Sequence, residues 1–159
     1  MKSFHKYSPI PTYIWQVQDK EFILLNYNDA AKQITSGKIA NFLGSKASDM
    51  YGDMPDILQD FERCSEEKSS FQRDMYYHFK TTGDDKYLSV KYAYVPPDFI
   101  LVHTEDITER KKIEEGLAKI NRCLLSLGTD INENINHLVT LCGELMGAAC
   151  ALYNKLDKG

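Results

Sequence analysis

HTEDITERKKIEEGL, residues 103–117, changes character in the middle: a strand-like pattern on its left gives way at once to a helical one on its right. On the left it closes FILVHTEDI (99–107), rich in β-branched and aromatic residues, the composition of a strand. Both alternating sets there, Phe99/Leu101/His103 and Ile100/Val102/Thr104, are largely apolar, which predicts a sheet covered on both faces. On the right, Asp106 and Glu109 have the spacing of a helix-capping pair and Thr108 is an alternative cap, so a helix is predicted to begin within a residue or two of the strand's end. Strand and helix would then be mechanically continuous.

Beyond this junction the apolar residues fall at Ile113, Leu117, Ile120, Leu124, Leu127, Ile131, Leu138, Leu141 and Leu145, in steps of four and three except where Asn134 occupies a seam position. That is the phase of a coiled coil, and the narrow stripe with charges around its early turns favours a dimerising helix over one folded back on its own sheet. One helix from Thr108 to Met146 would be roughly 58 Å long. The opposing signal is LGTD (127–130), where Gly128 is able to end one helix and Thr129 or Asp130 to begin another. The phase runs on across Gly128, so continuity with a kink there is the expectation. Past Asn134 the apolar face widens to include Ile135, Val139, Cys142 and Met146, and Ala149 to Leu156 reads as a strand cut off from its sheet, expected to be disordered or to pair with another chain.

Upstream, TYIWQVQDKEFILLNYN (12–28) predicts a hairpin with strands Tyr13–Gln18 and Glu21–Tyr27 joined at QDKE. Short apolar groups separated by Gly37, Gly44 and Gly52 suggest several short helices, followed by a longer one capped by Asp53 or Asp56, with Ile57, Leu58, Phe61 and Cys64 facing inward. Two more strands, SFQRDMYYHFK (70–80) and KYLSVKYAYV (86–95), flank the turn TTGDD and precede the strand of residues 99–107. The order is two strands, a helical crossover, three strands.

Composition narrows the function. The 159 residues are enough for one core and a fragment of a second, and a net charge of −4 with acids and bases interspersed offers no basic field for nucleic acid or anionic lipid. No segment has the form of a signal peptide or approaches the roughly 18 apolar residues of a membrane span. Cys64, Cys123, Cys142 and Cys150 share no CxxC spacing, which points to reduced thiols in a cytoplasmic protein and away from disulfides or a zinc site. A phosphate loop, GxSxG, HExxH and paired carboxylates in a cleft are all missing, so no catalytic residue is assigned.

Asp106-Ile107-Thr108 with Glu109 and Arg110 at the end of the last strand, YNDAAKQIT (27–35) after the second strand, Gly83 in the turn before the fourth, and the strand order together resemble a PAS domain over about residues 8 to 110. The tail from about Asn121 resembles the opening helix and first strand of a GAF domain. The resemblance implies an α+β fold: a five-stranded antiparallel sheet with short helices on one face, followed by a long C-terminal coiled-coil helix. Its divisions would be a PAS domain at 8–107, a signalling helix at 108–128 and the start of a truncated GAF domain at 129–159. It also implies a non-catalytic sensory or relay module of a multidomain signalling protein, such as a sensor histidine kinase. The module would dimerise through Ile113, Leu117, Ile120, Leu124 and Leu127, with Asp106 and Thr108 coupling sheet to helix.

Similarity to flavin-binding PAS domains turns His78, Leu88, Val90, Val102 and Thr104 towards the helices as ligand-contacting candidates. A one-residue slip would present Tyr77, Phe79 and His103 instead. Under the first register Arg73 lies on the opposite face. Family members that bind haem use an axial His on the longer helix, and MPDILQDFERCSEEK has none. Those that bind flavin use a Cys among the short helices, with Asn and Gln gripping the ring, and GSKASDMYG supplies neither. The expectation is therefore no haem and no flavin, leaving a small metabolite or a packed, ligand-free core. A ligand-free dimerisation spacer and a cofactor-based light or redox sensor are the alternatives.

Overall fold

The computed structural model describes residues 4–79, 82–148 and 150–153. The predicted first hairpin is present as β1 (Thr12–Gln18) and β2 (Glu21–Tyr27). It turns through Asp19 and Lys20, both at positive φ (50° and 64°), the left-handed pair whose twist matches that of the flanking strands. A register shift between Ile14 and Trp15 brings Trp15 opposite Leu24. Both side chains are buried, with Trp15 at 2% exposure and Leu24 at 0%.

Asn28 then organises the entry to the crossover. From the N-cap of α1 (Asp29–Ile34) its Oδ1 accepts the Ala31 amide at 2.9 Å and the Thr12 amide at 3.0 Å, while its Nδ2 donates to the carbonyls of Ser8 and Ile10. One buried amide thus ties the N-terminal segment, β1 and the helix together. A 3-10 turn at Lys38–Phe42 and α2 (Ala47–Tyr51) follow, each reached through a glycine at positive φ, Gly37 and Gly44. The longer helix, α3 (Pro55–Glu67), buries Ile57, Asp60, Phe61 and Cys64. Neither Asp53 nor Asp56 caps it. Met54 holds the N-cap position without a side-chain bond, and Pro55, with its preset φ and no N–H to satisfy, starts the helix.

The chain returns as β3 (Ser70–His78), β4 (Asp85–Val95) and β5 (Phe99–Asp106), all antiparallel, giving the sheet order β2-β1-β5-β4-β3. The helices of the crossover pack on one face, where Phe61 meets Trp15, Phe22 and Tyr92 ring to ring. On the opposite face His103 Nδ1 lies 2.9 Å from Thr12 Oγ1. Because Thr12 donates its own proton to the Ile10 carbonyl, the imidazole must be the donor to Thr12. Burial first, and the Lys91 charge second, hold the pKa of His103 below the ordinary value.

The chain divides into two compact units between Thr108 and Glu109. In the second, the single long helix expected from the heptad phase is replaced by α4 (Thr108–Ser126) and α5 (Ile131–Met146). Asp130 caps α5 by accepting the amides of Asn132 and Glu133. Asn134, the residue that interrupted the apolar seam, accepts the Gly128 amide and donates to the Gly128 carbonyl, both at 2.8 Å. These side chains satisfy the backbone of the break, so the four residues between the helices cost little. Lys119 lies 3.8 Å from Glu144, and Ser126 Oγ 3.3 Å from His137, so α5 runs back alongside α4. The predicted strand at Ala149–Leu156 is not formed over residues 150–153; Ala149 and residues 154–156 lie outside the described residues. Among the described residues no helix is long and apolar enough to cross a membrane.

Candidate functional site

Between the sheet and the crossover helices lies a cavity of about 130 Å³. β1 contributes Tyr13 and Trp15, β3 contributes Met75 and Tyr77, β4 contributes Leu88, Val90 and Tyr92, and β5 contributes Val102 and Thr104. The crossover closes it with Thr35, Ile39, Phe42, Met50, Tyr51, Ile57 and Phe61, and Phe79 lies at the end of β3. The wall is built of aromatic and aliphatic side chains, and among the described residues it carries no charged one.

Its polar atoms are chiefly phenol hydroxyls. Burial raises the pKa of Tyr13 to about 12, despite an opposing effect of Thr104. Burial likewise raises Tyr51 and Tyr77, reinforced by neighbouring phenols around Tyr51 and by Asp53 near Tyr77. Burial again dominates the upward shift of Tyr92. All four keep their protons at neutral pH. The Thr35 hydroxyl is spent on the Ala31 carbonyl of α1 at 2.8 Å. The Thr104 hydroxyl is buried beside the Tyr13 phenol, whose pKa it pulls down, and among the described residues it has no partner of ordinary hydrogen-bond geometry.

Of the candidates drawn from the family resemblance, Leu88, Val90, Val102 and Thr104 stand on the cavity wall, and His78 does not. His78 is exposed at the far end of β3, with Nδ1 2.7 Å from Asp85. β3 is one residue out of the expected phase: Phe71, Arg73, Met75 and Tyr77 are its shielded set, alternating with exposed Gln72, Asp74, Tyr76 and His78. That alternation is visible in SFQRDMYYHF itself, whose first set is apolar at every position but Arg73. Arg73 is correspondingly on the helix-facing side and not on the opposite face as expected. Its guanidinium reaches Asp60 of α3 at 2.7 Å, with Asp56 at 3.7 Å. Burial lifts the Asp60 pKa while Arg73 and Tyr92 pull it back, and Tyr92 thereby links this ion pair to the cavity.

The strand-to-helix joint lies two residues beyond Thr104. Asp106 Oδ2 is 2.7 Å from Lys86 Nζ, and its Oδ1 accepts the Thr108 amide at 3.0 Å. This is one residue short of the Glu109 amide that the capping-pair spacing predicted. Thr108 Oγ1 accepts the Tyr87 amide at 3.0 Å, and the Ile107 amide donates to the Tyr87 carbonyl at 2.9 Å. Both hydrogen-bonding groups of the Tyr87 backbone are therefore held by Ile107 and by Thr108, the first residue of α4. Partial burial works to raise the Asp106 pKa, but the bonds from Lys86 and Thr108 outweigh it and the carboxyl lies below the ordinary aspartate value.

Along α4, Ile113, Leu117 and Leu124 are each more than half exposed, at 58%, 56% and 54%, while Ile120, and Leu127 just past the helix, are half-buried. Cys64 is buried, donates to the Ser69 carbonyl at 3.2 Å, and has its thiol pKa pushed up to about 11 by burial. Among the described residues no three His, Cys, Asp or Glu side chains are grouped to hold a metal.

No family model and no curated protein matches the chain. Solved structures do. An RNA-binding light-oxygen-voltage receptor superposes with a TM-score of 0.62 at 13% identity over 74% of this chain, which spans only 35% of the receptor. The LOV domain of the Erythrobacter litoralis EL346 blue-light activated histidine kinase gives 0.52 at 14% identity, covering 64% of this chain and 98% of that one. The PAS domain of Bordetella pertussis BvgS gives 0.50 at 21% identity, covering 74% and 91%. At such identities the fold is what is shared: the five antiparallel strands and their crossover helices are an α+β fold of the PAS and LOV type.

Proposed function

We propose that the chain is a non-catalytic sensory and relay module in which a small molecule in the cavity biases the start of α4, and that α4 forms a parallel homodimer carrying the signal to downstream GAF and effector domains, such as those of a histidine kinase. The supporting observation is adjacency. Thr104 and Leu88 stand on the cavity wall, and each lies within two residues of a part of the joint, Asp106 after Thr104 on β5 and the Tyr87 backbone just before Leu88 on β4. A ligand that pulls on Thr104 moves the end of β5, and the hydrogen bonds at Tyr87 and Asp106 leave little slack before Thr108. Such a relay needs two states that the ligand binds unequally, by about 1 to 3 kcal/mol.

The size and lining of the cavity support a ligand smaller than flavin or haem. An engineered cavity of about 150 Å³ holds one benzene ring, and this one is about 130 Å³, whereas isoalloxazine has three fused rings. Its wall also carries neither Cys nor His among the described residues. A ligand-free dimerisation spacer is the second reading, favoured by the exposed Ile113, Leu117 and Leu124, which need no cavity. Light scattering together with a thermal-shift screen of metabolites separates the readings. The relay predicts a dimer that Leu117→Lys dissociates, and a metabolite that raises the melting temperature. A monomer refutes both readings, and a dimer that no compound stabilises leaves the spacer.

A further inference from the structure

We infer that the cavity selects an uncharged molecule of single-ring size bearing a hydrogen-bond acceptor, and that Thr104 is the residue that reads the acceptor. The inference rests on the cavity being the input site and adds the chemistry of what enters it.

Size sets the first limit. A volume of about 130 Å³ is close to the roughly 150 Å³ that accommodates benzene. Ring faces and edges from Trp15, Phe61 and Phe79 supply the wall that a flat apolar body packs against.

Charge sets the second. Among the described residues the wall has no Lys, Arg, Asp or Glu to neutralise an ion. The Asp60–Arg73 ion pair, 2.7 Å across, lies against Tyr92 and is engaged with itself rather than standing on the wall. A carboxylate entering would face protonated phenols but no cation, and the Asp53 charge that raises Tyr77 also opposes an anion. An ammonium would find aromatic faces but no carboxylate on the wall. Either ion loses its hydration without a paired charge in return.

Hydrogen bonding sets the third. Thr35 is spent on its helix, and Tyr92 is drawn to Asp60 and Arg73. Thr104 Oγ1 is buried on the wall beside the Tyr13 phenol, with no partner of ordinary hydrogen-bond geometry among the described residues. An unsatisfied buried hydroxyl costs free energy that an acceptor on the ligand returns. Thr104 lies two residues from Asp106, so the atom that identifies the ligand is also the one next to the joint.

Pyridine and benzene, equal in size and differing in one acceptor, test this directly, alongside N-methylpyridinium and benzoate as charged rings. Amide chemical shifts of the whole chain at pH 8 report binding at the wall. The inference expects saturable shifts for pyridine and benzene, with both ions at least about tenfold weaker. It expects Thr104→Val, which keeps the shape, to lower the pyridine-to-benzene affinity ratio about tenfold while benzene binding is unchanged. Tyr77→Phe should lower that ratio less. An ion binding as tightly as pyridine, an unchanged ratio in Thr104→Val, or no saturable ring at the wall of the folded chain overturns the inference. An ion that binds and still perturbs α4 would leave the relay standing, whereas pyridine that binds and leaves α4 unperturbed would leave the ligand chemistry standing and remove the relay.

Discussion

Asp106 carries two bonds at once, one to the Lys86 ammonium and one to the Thr108 amide, and this is why its carboxyl titrates below the ordinary aspartate range. A carboxyl whose pKa is depressed by folding contributes stability above its unfolded pKa of about 3.9, and the contribution disappears as pH falls through the folded value. Asp106→Asn keeps an acceptor for Thr108 and loses the charge. At neutral pH it should be less stable by no more than about 1 kcal/mol, because the pair is partly exposed and screened. In urea melts the gap between the two proteins should narrow steadily as pH falls below the unfolded value of about 3.9, and a gap that does not change with pH there would show that the charge is not its source. Burial argues equally specifically for Cys64. With its thiol raised to about 11 and its proton given to Ser69, it should resist a thiol reagent at pH 8 in the folded protein while exposed Cys142 and Cys150 react. Equal rates for Cys64 and Cys142 would contradict its place in the core.

At the scale of elements, what the sequence shows depends on whether one physical rule acts alone. The β1–β2 hairpin, the crossover and the last three strands follow from alternation and turn residues that agree with one another. Similarity to other ligand-binding sheets puts β3 in one phase, whereas the strand's own amphipathicity puts it in the other and places Tyr77 inward and His78 outward. The cap of α3 was missed because Pro55 starts a helix without needing a capping side chain. Heptad phase and turn chemistry compete outright at residues 127–130, and local hydrogen bonding wins through Asp130 and Asn134. Asn134→Leu removes both bonds to Gly128 and restores an apolar residue to the seam. It should raise helical circular dichroism and slow amide exchange at 127–130 several-fold, and exchange there as fast as in the unaltered chain would mean that Asn134 does not hold the break. The unsatisfied Thr104 hydroxyl was named from the strand register, but its lack of a partner depends on how β5 meets β1, which no local pattern reports.

For the whole molecule, the account comes down to whether events in the cavity reach α4. Sheet, cavity wall and joint share the last residues of β5 and the Tyr87 backbone, and α4 leaves Ile113, Leu117 and Leu124 exposed. The direct test is hydrogen exchange of the amides of residues 104–116 with and without a compound that saturates the cavity, in the unaltered chain and in Asp106→Ala. The relay predicts that the compound slows or speeds exchange in the first two turns of α4 several-fold, and that in Asp106→Ala the change stops at the cavity wall although binding persists. A change confined to the wall in both proteins, or one that spreads into α4 equally with Asp106 removed, would contradict it.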